Sequence, residues 1–240
     1  MQDDLELLSH VLVRSHTARD RATLVRTAAG ITGLVAIIQH DIGAQQEAES
    51  WFTTAARAAQ ESGDRHMLAW VLARHAMVGL NYGAPSSAAR RAARAQRVAG
   101  TTPSAAAALA SAVNARALAS LGDRNGARKA VEQTQTMIEQ LDGIALADNW
   151  LGYPAQKHSV HLSQAYTLLG DTKSARAEQE AALALTDSPS VMTRPRPRPR
   201  AMPAHRQGPP GRNGHGNRYM EQPPGGLPDR AGADPGRSTT

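Results

Sequence analysis

The chain has 240 residues and contains no cysteine, which excludes disulfides and thiolate metal sites and fits a reducing compartment. Residues 1–193 hold 18 Lys+Arg and 18 Asp+Glu, whereas residues 194–240 hold 9 Arg and only 3 acids. The excess positive charge therefore lies in the tail, and it gives no reason to expect nucleic-acid binding by the rest of the chain.

The sequence offers no targeting or membrane segment. Its first residues are acidic, without the basic and then apolar layout of a signal peptide. The longest apolar stretch, Ile31 to Ile38, is far shorter than the ~20 residues that cross a membrane. We therefore expect a cytoplasmic protein that makes no membrane contact.

Apolar residues recur every three or four positions over most of the chain, which predicts helices. The predicted helices cover 4–14, 20–41, 45–62, 66–82, 85–100, 102–121, 125–141, 155–169 and 172–186. Between 142 and 154 the pattern loosens around Trp150 and Tyr153. The expected fold is all-α, with a lead-in helix followed by antiparallel helical hairpins.

A repeat of small residues supports this organisation. Four times, a glycine is followed five residues later by an alanine, and successive glycines lie 40, 39 and 48 residues apart. The pairs are Gly43/Ala48, Gly83/Ala88, Gly122/Ala127 and Gly170/Ala175. Small or short polar residues also occupy the positions seven before and twelve after each glycine, namely Ala36, Ala76, Ala115, Ser163, Ala55, Ala95, Thr134 and Ala182. Such a period predicts an α-solenoid, in which each hairpin buries its apolar face against its neighbours.

Each recurring spacing has a structural explanation. Glycine ends the first helix of a hairpin and permits the turn with positive φ into the second helix. Alanine, one turn into the second helix, lies where we expect the two backbones to approach most closely.

This pattern resembles the tetratricopeptide repeat (TPR), although the copies here are longer than 34 residues. The last copy, Tyr166 to Ala175 followed by Ala182 to Pro189, is the most similar. The resemblance covers about residues 20–190 and implies a TPR-like α-solenoid.

A second resemblance is narrower. The segments from Ala69 to Arg74, Leu80 to Gly83, Trp150 to Lys157 and His161 to Ala165 look like the C-terminal region of actinobacterial helix-turn-helix transcriptional regulators. That resemblance implies a protein- or peptide-binding module, the sensor or interaction region of a regulator. No helix-turn-helix domain is expected here, so direct nucleic-acid binding is not carried over. The alternative is a small-molecule-sensing domain with a cavity inside the superhelix.

The TPR resemblance also implies a ligand groove along the first helices of the hairpins. Counting back from each glycine gives Ile37, His40, Trp70, Met77, Asn81, Arg116, Lys157 and Gln164. An amide in this set would bridge the backbone of an extended peptide, and Arg116 or Lys157 would meet a carboxylate. The competing interpretation is that Trp70 and Met77 are core residues.

The candidate metal-binding, phosphate-binding and catalytic residues have simpler structural explanations. His158 and His161 have a spacing that would suit a metal, but no acid nearby in sequence completes a site, so we expect two ordinary helix histidines. The stretch from Gly170 to Ser174 is an inter-helix turn and lacks the phosphate-loop layout. We expect no enzyme activity, no metal and no cofactor. An enzyme would gain support only if His75, His158 or His161 lay beside a buried acid.

The predicted organisation is a lead-in helix over 1–19, a repeat domain over 20–190 and a disordered tail over 191–240. Residues 194–240 contain 10 of the 14 prolines and a single leucine, so they cannot bury a core. The tail fits a basic segment for anionic surfaces, a Pro-rich docking peptide, or coding DNA read out of frame. We favour the frameshift hypothesis, which translation of the other frames tests. A chain truncated at both ends would expose apolar surface and favour self-association.

Overall fold

The structure is a computed structural model that describes residues 2–185. This part of the chain is all-α, as predicted, and contains no strand. Its helices are α1 (Gln2–Leu12), α2 (Ala18–Asp41), α3 (Gln45–Glu61), α4 (Arg65–Asn81), α5 (Pro85–Ala99), α6 (Ala105–Ser120), α7 (Arg124–Glu139), α8 (Ala155–Leu169) and α9 (Thr172–Ala184). A short 3₁₀ helix, Gly143–Leu146, lies between α7 and α8. The predicted disordered tail falls outside the described residues.

Several helices begin with a side-chain cap that the sequence supplies. Asp64, Asp123 and Asp171 each follow a turn and accept a hydrogen bond from the backbone N–H three residues later. Such a cap satisfies one of the N–H groups that the first turn leaves without a helical partner. Ser104 plays the same role for α6, which explains why that helix begins at Ala105 and not at Thr102.

The repeat signature is confirmed at every copy. The glycines at 43, 83, 122 and 170 all have positive φ, between 76° and 86°. The alanines five residues later are all buried, as are the small residues seven before and twelve after each glycine. A Cβ added to Gly79 would lie 3.4 Å from the Cβ of Ala88, which places the two helices of that hairpin in close contact there. The small residues therefore mark the contacts between paired helices.

The helices contact one another in chain order. They pair as α2/α3, α4/α5, α6/α7 and α8/α9, and α2, α4, α6 and α8 also contact one another in succession. We call these four helices the first-helix layer. Each second helix also packs against the first helix of the next hairpin. This order of contacts is compatible with the predicted solenoid.

Helix α2 also has the length and apolar composition of a membrane span, with 24 residues and a mean hydropathy of 1.4 over its most apolar window. A core helix passes the same test, and α2 packs along α3 and buries Val25, Ala29 and Ala36. About 39% of its most apolar window is buried, so packing within the fold accounts for part of its apolar character.

Candidate ligand-binding site on the first-helix layer

The segment of residues 142–154 lies against the first-helix layer and organises the site. Its backbone is fixed by the 3₁₀ helix and by a bond from the Tyr153 N–H to the Ala145 carbonyl at 2.8 Å. The Asn149 carboxamide oxygen accepts from the N–H groups of Leu151 and Gly152 at 2.9 and 2.8 Å. These local bonds present the carbonyl groups of 149–152 to α4 and α8.

Side chains of helix α4 bind the main chain of this segment. The Trp70 indole N–H donates to the Trp150 carbonyl at 2.9 Å, and Arg74 donates weakly to the same oxygen at 3.4 Å. The Arg74 guanidinium also lies 5.9 Å from the centre of the Trp70 ring, within cation–π range. Trp70 is only 2% exposed and belongs to the buried core, as the competing interpretation has it, and its indole N–H is used by the chain's own segment.

Helix α8 binds the same segment from the other side. The Lys157 ammonium nitrogen lies 3.2 Å from the Asn149 carbonyl and 2.5 Å from the Gly152 carbonyl. Burial and, to a smaller extent, the charge of Arg74 lower the pKa of Lys157 to about 7, against the opposing effect of Asp148. A neutral amine still carries two N–H groups, so it can donate to both carbonyls.

Deeper in the layer, Arg116 on α6 meets α8 and Tyr153. The Arg116 guanidinium donates to the Nδ1 of His161 at 3.3 Å, and both residues are at least nine-tenths buried. Burial lowers the pKa of Arg116 to about 10. Burial also lowers the pKa of His161 well below its usual value, and the charges of Arg116, Arg74 and Lys157 lower it further. His161 is therefore neutral at pH 7, and its Nδ1 accepts the bond.

The site gathers cations with donor capacity that the described residues do not use. Among residues 2–185, the Nε groups of Arg74 and Arg116 and the buried Tyr153 hydroxyl have no hydrogen-bond partner. Buried donors without partners cost free energy, and those of a charged group cost most. A carboxylate brought to this place would satisfy them, because it is the acceptor that guanidinium groups prefer.

The remaining predicted groove residues follow the layer toward α2. Asn81 on α4 is exposed, and its carboxamide nitrogen lies 2.7 Å from the Nε2 of His40 on α2. The His40 ring also meets Tyr82 edge-on at 5.6 Å between centroids. Ile37 is buried, whereas Met77 is half-buried against the core.

Gln164, the last predicted groove residue, is half-buried on α8. Its side-chain oxygen has no partner within the described part of the chain. In the structure, Trp70 and Lys157 thus bind the same segment, residues 142–154, and His40 pairs with Asn81. Within residues 2–185, Arg116 and Gln164 make no hydrogen bond to either group. Their binding role stays a prediction.

Sequence reasoning missed Arg74, Tyr153 and the placement of the whole 142–154 segment. Two features pointed to that segment: the third interval between glycines is the longest, and its Trp and Tyr residues stand out in a chain with few aromatics. Neither feature reveals that the segment reaches α4, because that contact joins residues 80 apart in sequence.

The histidines do not assemble a metal site within residues 2–185, where no group of three metal-binding side chains occurs. His158 meets Tyr153 edge-on at 5.8 Å, and burial lowers its pKa to about 4. Of the three candidates His75, His158 and His161, His75 lies beside an acid, with its Nε2 2.6 Å from the carboxylate of half-buried Glu49. That carboxylate is shared with Arg91.

The comparisons with known proteins leave the family open. No protein-family model matches the chain, and no curated protein matches it. The crystal structure of BtubC (BKLC) from P. vanneervenii is similar at a TM-score of 0.48 and 19% identity, over 75% of this chain and 77% of BtubC. Likeness at this level carries no argument about family or function.

Proposed function

We propose that this chain is a TPR-like module that binds an extended peptide or a protein segment along its first-helix layer. One observation carries the proposal. Trp70 and Lys157, both chosen from sequence as groove residues, donate hydrogen bonds to main-chain carbonyls of the chain's own segment 149–152. A layer that binds main-chain carbonyls of an irregular segment has the type of donors that a peptide backbone requires.

The charges of the layer define the partner further. Arg74, Arg116 and Lys157 lie close enough for each to lower the pKa of His161, while Asp41 acts on Arg74 and Asp148 on Lys157 with the opposite charge. We expect the partner to carry a carboxylate, either at its C-terminus or on a side chain. Asn81 and His40 lie on the more exposed part of the layer, where they would contact the partner's backbone.

The regulator resemblance gives the biological setting of the proposal. In that setting the chain acts in the cytoplasm as the sensor or interaction region of a transcriptional regulator, and it makes no direct contact with nucleic acid. The resemblance rests on short segments such as Leu80 to Gly83 and Trp150 to Lys157. Two residues of those segments lie at the site described above: the Trp150 carbonyl accepts from Trp70, and Lys157 donates to the carbonyls of Asn149 and Gly152.

A peptide selection tests the proposal. The full chain is panned against a random peptide library, and the affinity of each selected peptide is measured by fluorescence anisotropy. We expect Asn81→Ala to weaken binding about three- to tenfold, the range for one or two lost hydrogen bonds. Gln133→Ala is the matched control, because Gln133 is exposed on α7, outside the first-helix layer.

Two outcomes would overturn the proposal. One is a selection that yields no binding peptide. The other is an equal loss of affinity in Asn81→Ala and Gln133→Ala. A thermal shift that responds to free metabolites, with no peptide bound, would instead favour the small-molecule sensor.

A further inference from the structure

A second candidate site is a groove between α3 and α5, with α4 at its floor. Both helices pack on α4, and the pocket between them has a volume of about 280 Å³. Its floor is formed by Leu72 and His75 of α4, and both are buried. The lining residues of α3 and α5 are spaced by three and four, so each helix turns one continuous face into the groove.

A cluster of charged groups lies at this groove, because its lining residues His75 and Arg91 both bind Glu49. The Glu49 carboxylate accepts two bonds from Arg91, at 2.8 and 3.2 Å, and one from the His75 ring at 2.6 Å. Phe52 stacks on the other face of the cluster, with its ring 5.2 Å from that of His75. Burial alone would raise the pKa of Glu49, but its bonds to His75 and Arg91 outweigh this effect and the pKa is lowered. Glu49 is therefore ionised, and its carboxylate is already bound to His75 and Arg91.

The rest of the groove is positive and lacks a matching anion. Arg57 on α3 and Arg94 on α5 both line the pocket and are exposed. Neither makes an ion pair with any carboxylate among residues 2–185. Two guanidinium groups that face one pocket repel each other, and an anion held between them would remove that repulsion.

We propose that the groove between α3 and α5 binds a small organic anion, a phosphate or carboxylate group attached to a compact apolar body. The anionic group lies between Arg57 and Arg94, where planar guanidinium groups offer paired donors. The apolar body rests on Leu72 and Ala56, which supply the apolar part of the lining. The volume lies just below the range typical of ligand pockets, so the ligand is compact.

This site is separate from the proposed peptide surface, since it is built from two second helices and one side of α4. It also differs from the small-molecule alternative considered from sequence, in which the cavity lay inside the superhelix. A ligand here would contact two successive hairpins at once through α3 and α5, so its binding would add a link between them.

Calorimetric titration of the full chain with phenyl phosphate and with benzoate tests the site. Benzamide is the neutral counterpart of benzoate. We expect at least one anion to bind with a millimolar or tighter dissociation constant, and benzamide to bind at least tenfold more weakly. The double variant Arg57→Gln/Arg94→Gln should reduce anion affinity at least tenfold. Arg97→Gln, an exposed change on the same helix outside the pocket, should leave it unchanged.

The site of binding is checked by the methyl resonances of Leu72, which should shift on addition of the anion. Tighter binding of phenyl phosphate than of benzoate assigns a phosphate ligand, and the reverse assigns a carboxylate. The proposal is overturned if neither anion binds, if benzamide binds equally well, or if Arg97→Gln weakens binding as much as the double variant. Shifts confined to α6 and α8 would also overturn it.

Discussion

Lys157 makes the stability of this protein depend on pH in an unusual direction. Its amine lies between the carbonyls of Asn149 and Gly152, and burial lowers its pKa from the usual 10.5 to about 7. The charges around it are Arg74 on α4, Asp148 in the 142–154 segment and His161 on its own helix. We predict that Lys157→Met removes a rise in stability between pH 6 and pH 9.

The sign and size follow from proton linkage. Above pH 7 the folded chain releases the Lys157 proton, whereas the unfolded chain holds it until about pH 10.5, so the unfolded state binds more protons and stability rises with pH. A tenfold change in proton concentration corresponds to about 1.4 kcal/mol for one group. Between pH 6 and pH 9 the free energy of unfolding should therefore increase by about 2–3 kcal/mol.

Urea unfolding of the full chain at pH 6, 7.5 and 9 measures this slope. The histidines with lowered pKa values, His75, His158 and His161, also contribute stability as pH rises, but only up to about pH 6.5, and they are present in both proteins. The difference between wild type and Lys157→Met therefore isolates the lysine. Lys129→Met is the matched control, because Lys129 is exposed on α7. An equal slope in wild type and Lys157→Met would refute the reasoning.

Two further predictions concern packing and buried charge. Arg116→Met should increase the free energy of unfolding by about 1–2 kcal/mol, because it removes a buried cation whose donors are not all used, and an unchanged or lower urea midpoint would contradict this. Ala88→Leu should decrease it by about 1–3 kcal/mol, because Ala88 is fully buried where α4 and α5 touch. The exposed change Ser86→Leu on the same helix should alter it by less than about 0.5 kcal/mol, and equal losses in both variants would disprove the close-contact explanation.

The helices and their turns were predictable because their causes are local. A glycine that must adopt positive φ and an alanine that must fit between two backbones leave a mark at a fixed spacing, as at Gly83 and Ala88. Helix α8 was predicted with both of its ends correct, since Pro154 precedes it and Gly170 ends it. The start of α6 was predicted three residues early, because Pro103 was taken as the first turn and the cap at Ser104 was missed.

The candidate site was predictable only in part. Counting from the repeat placed Trp70 on α4 and Lys157 on α8, because helical positions repeat regularly. The same counting cannot reveal that both residues bind the 142–154 segment, which has no periodic pattern. Nor can it reveal that Arg74 also donates to this segment, since that bond depends on the position of the Trp150 carbonyl in an irregular backbone.

The bond between Trp70 and Trp150 joins α4 to a segment 80 residues away, across the intervening hairpin of α6 and α7. In an array held only by nearest neighbours, terminal units can fray while the middle stays folded. This bond links α4 to the segment that precedes α8 and so spans one whole hairpin. We therefore expect the elements from α4 to α8 to unfold together as one cooperative block. Hydrogen exchange would then report similar protection for the backbone amides of α4, α6 and α8.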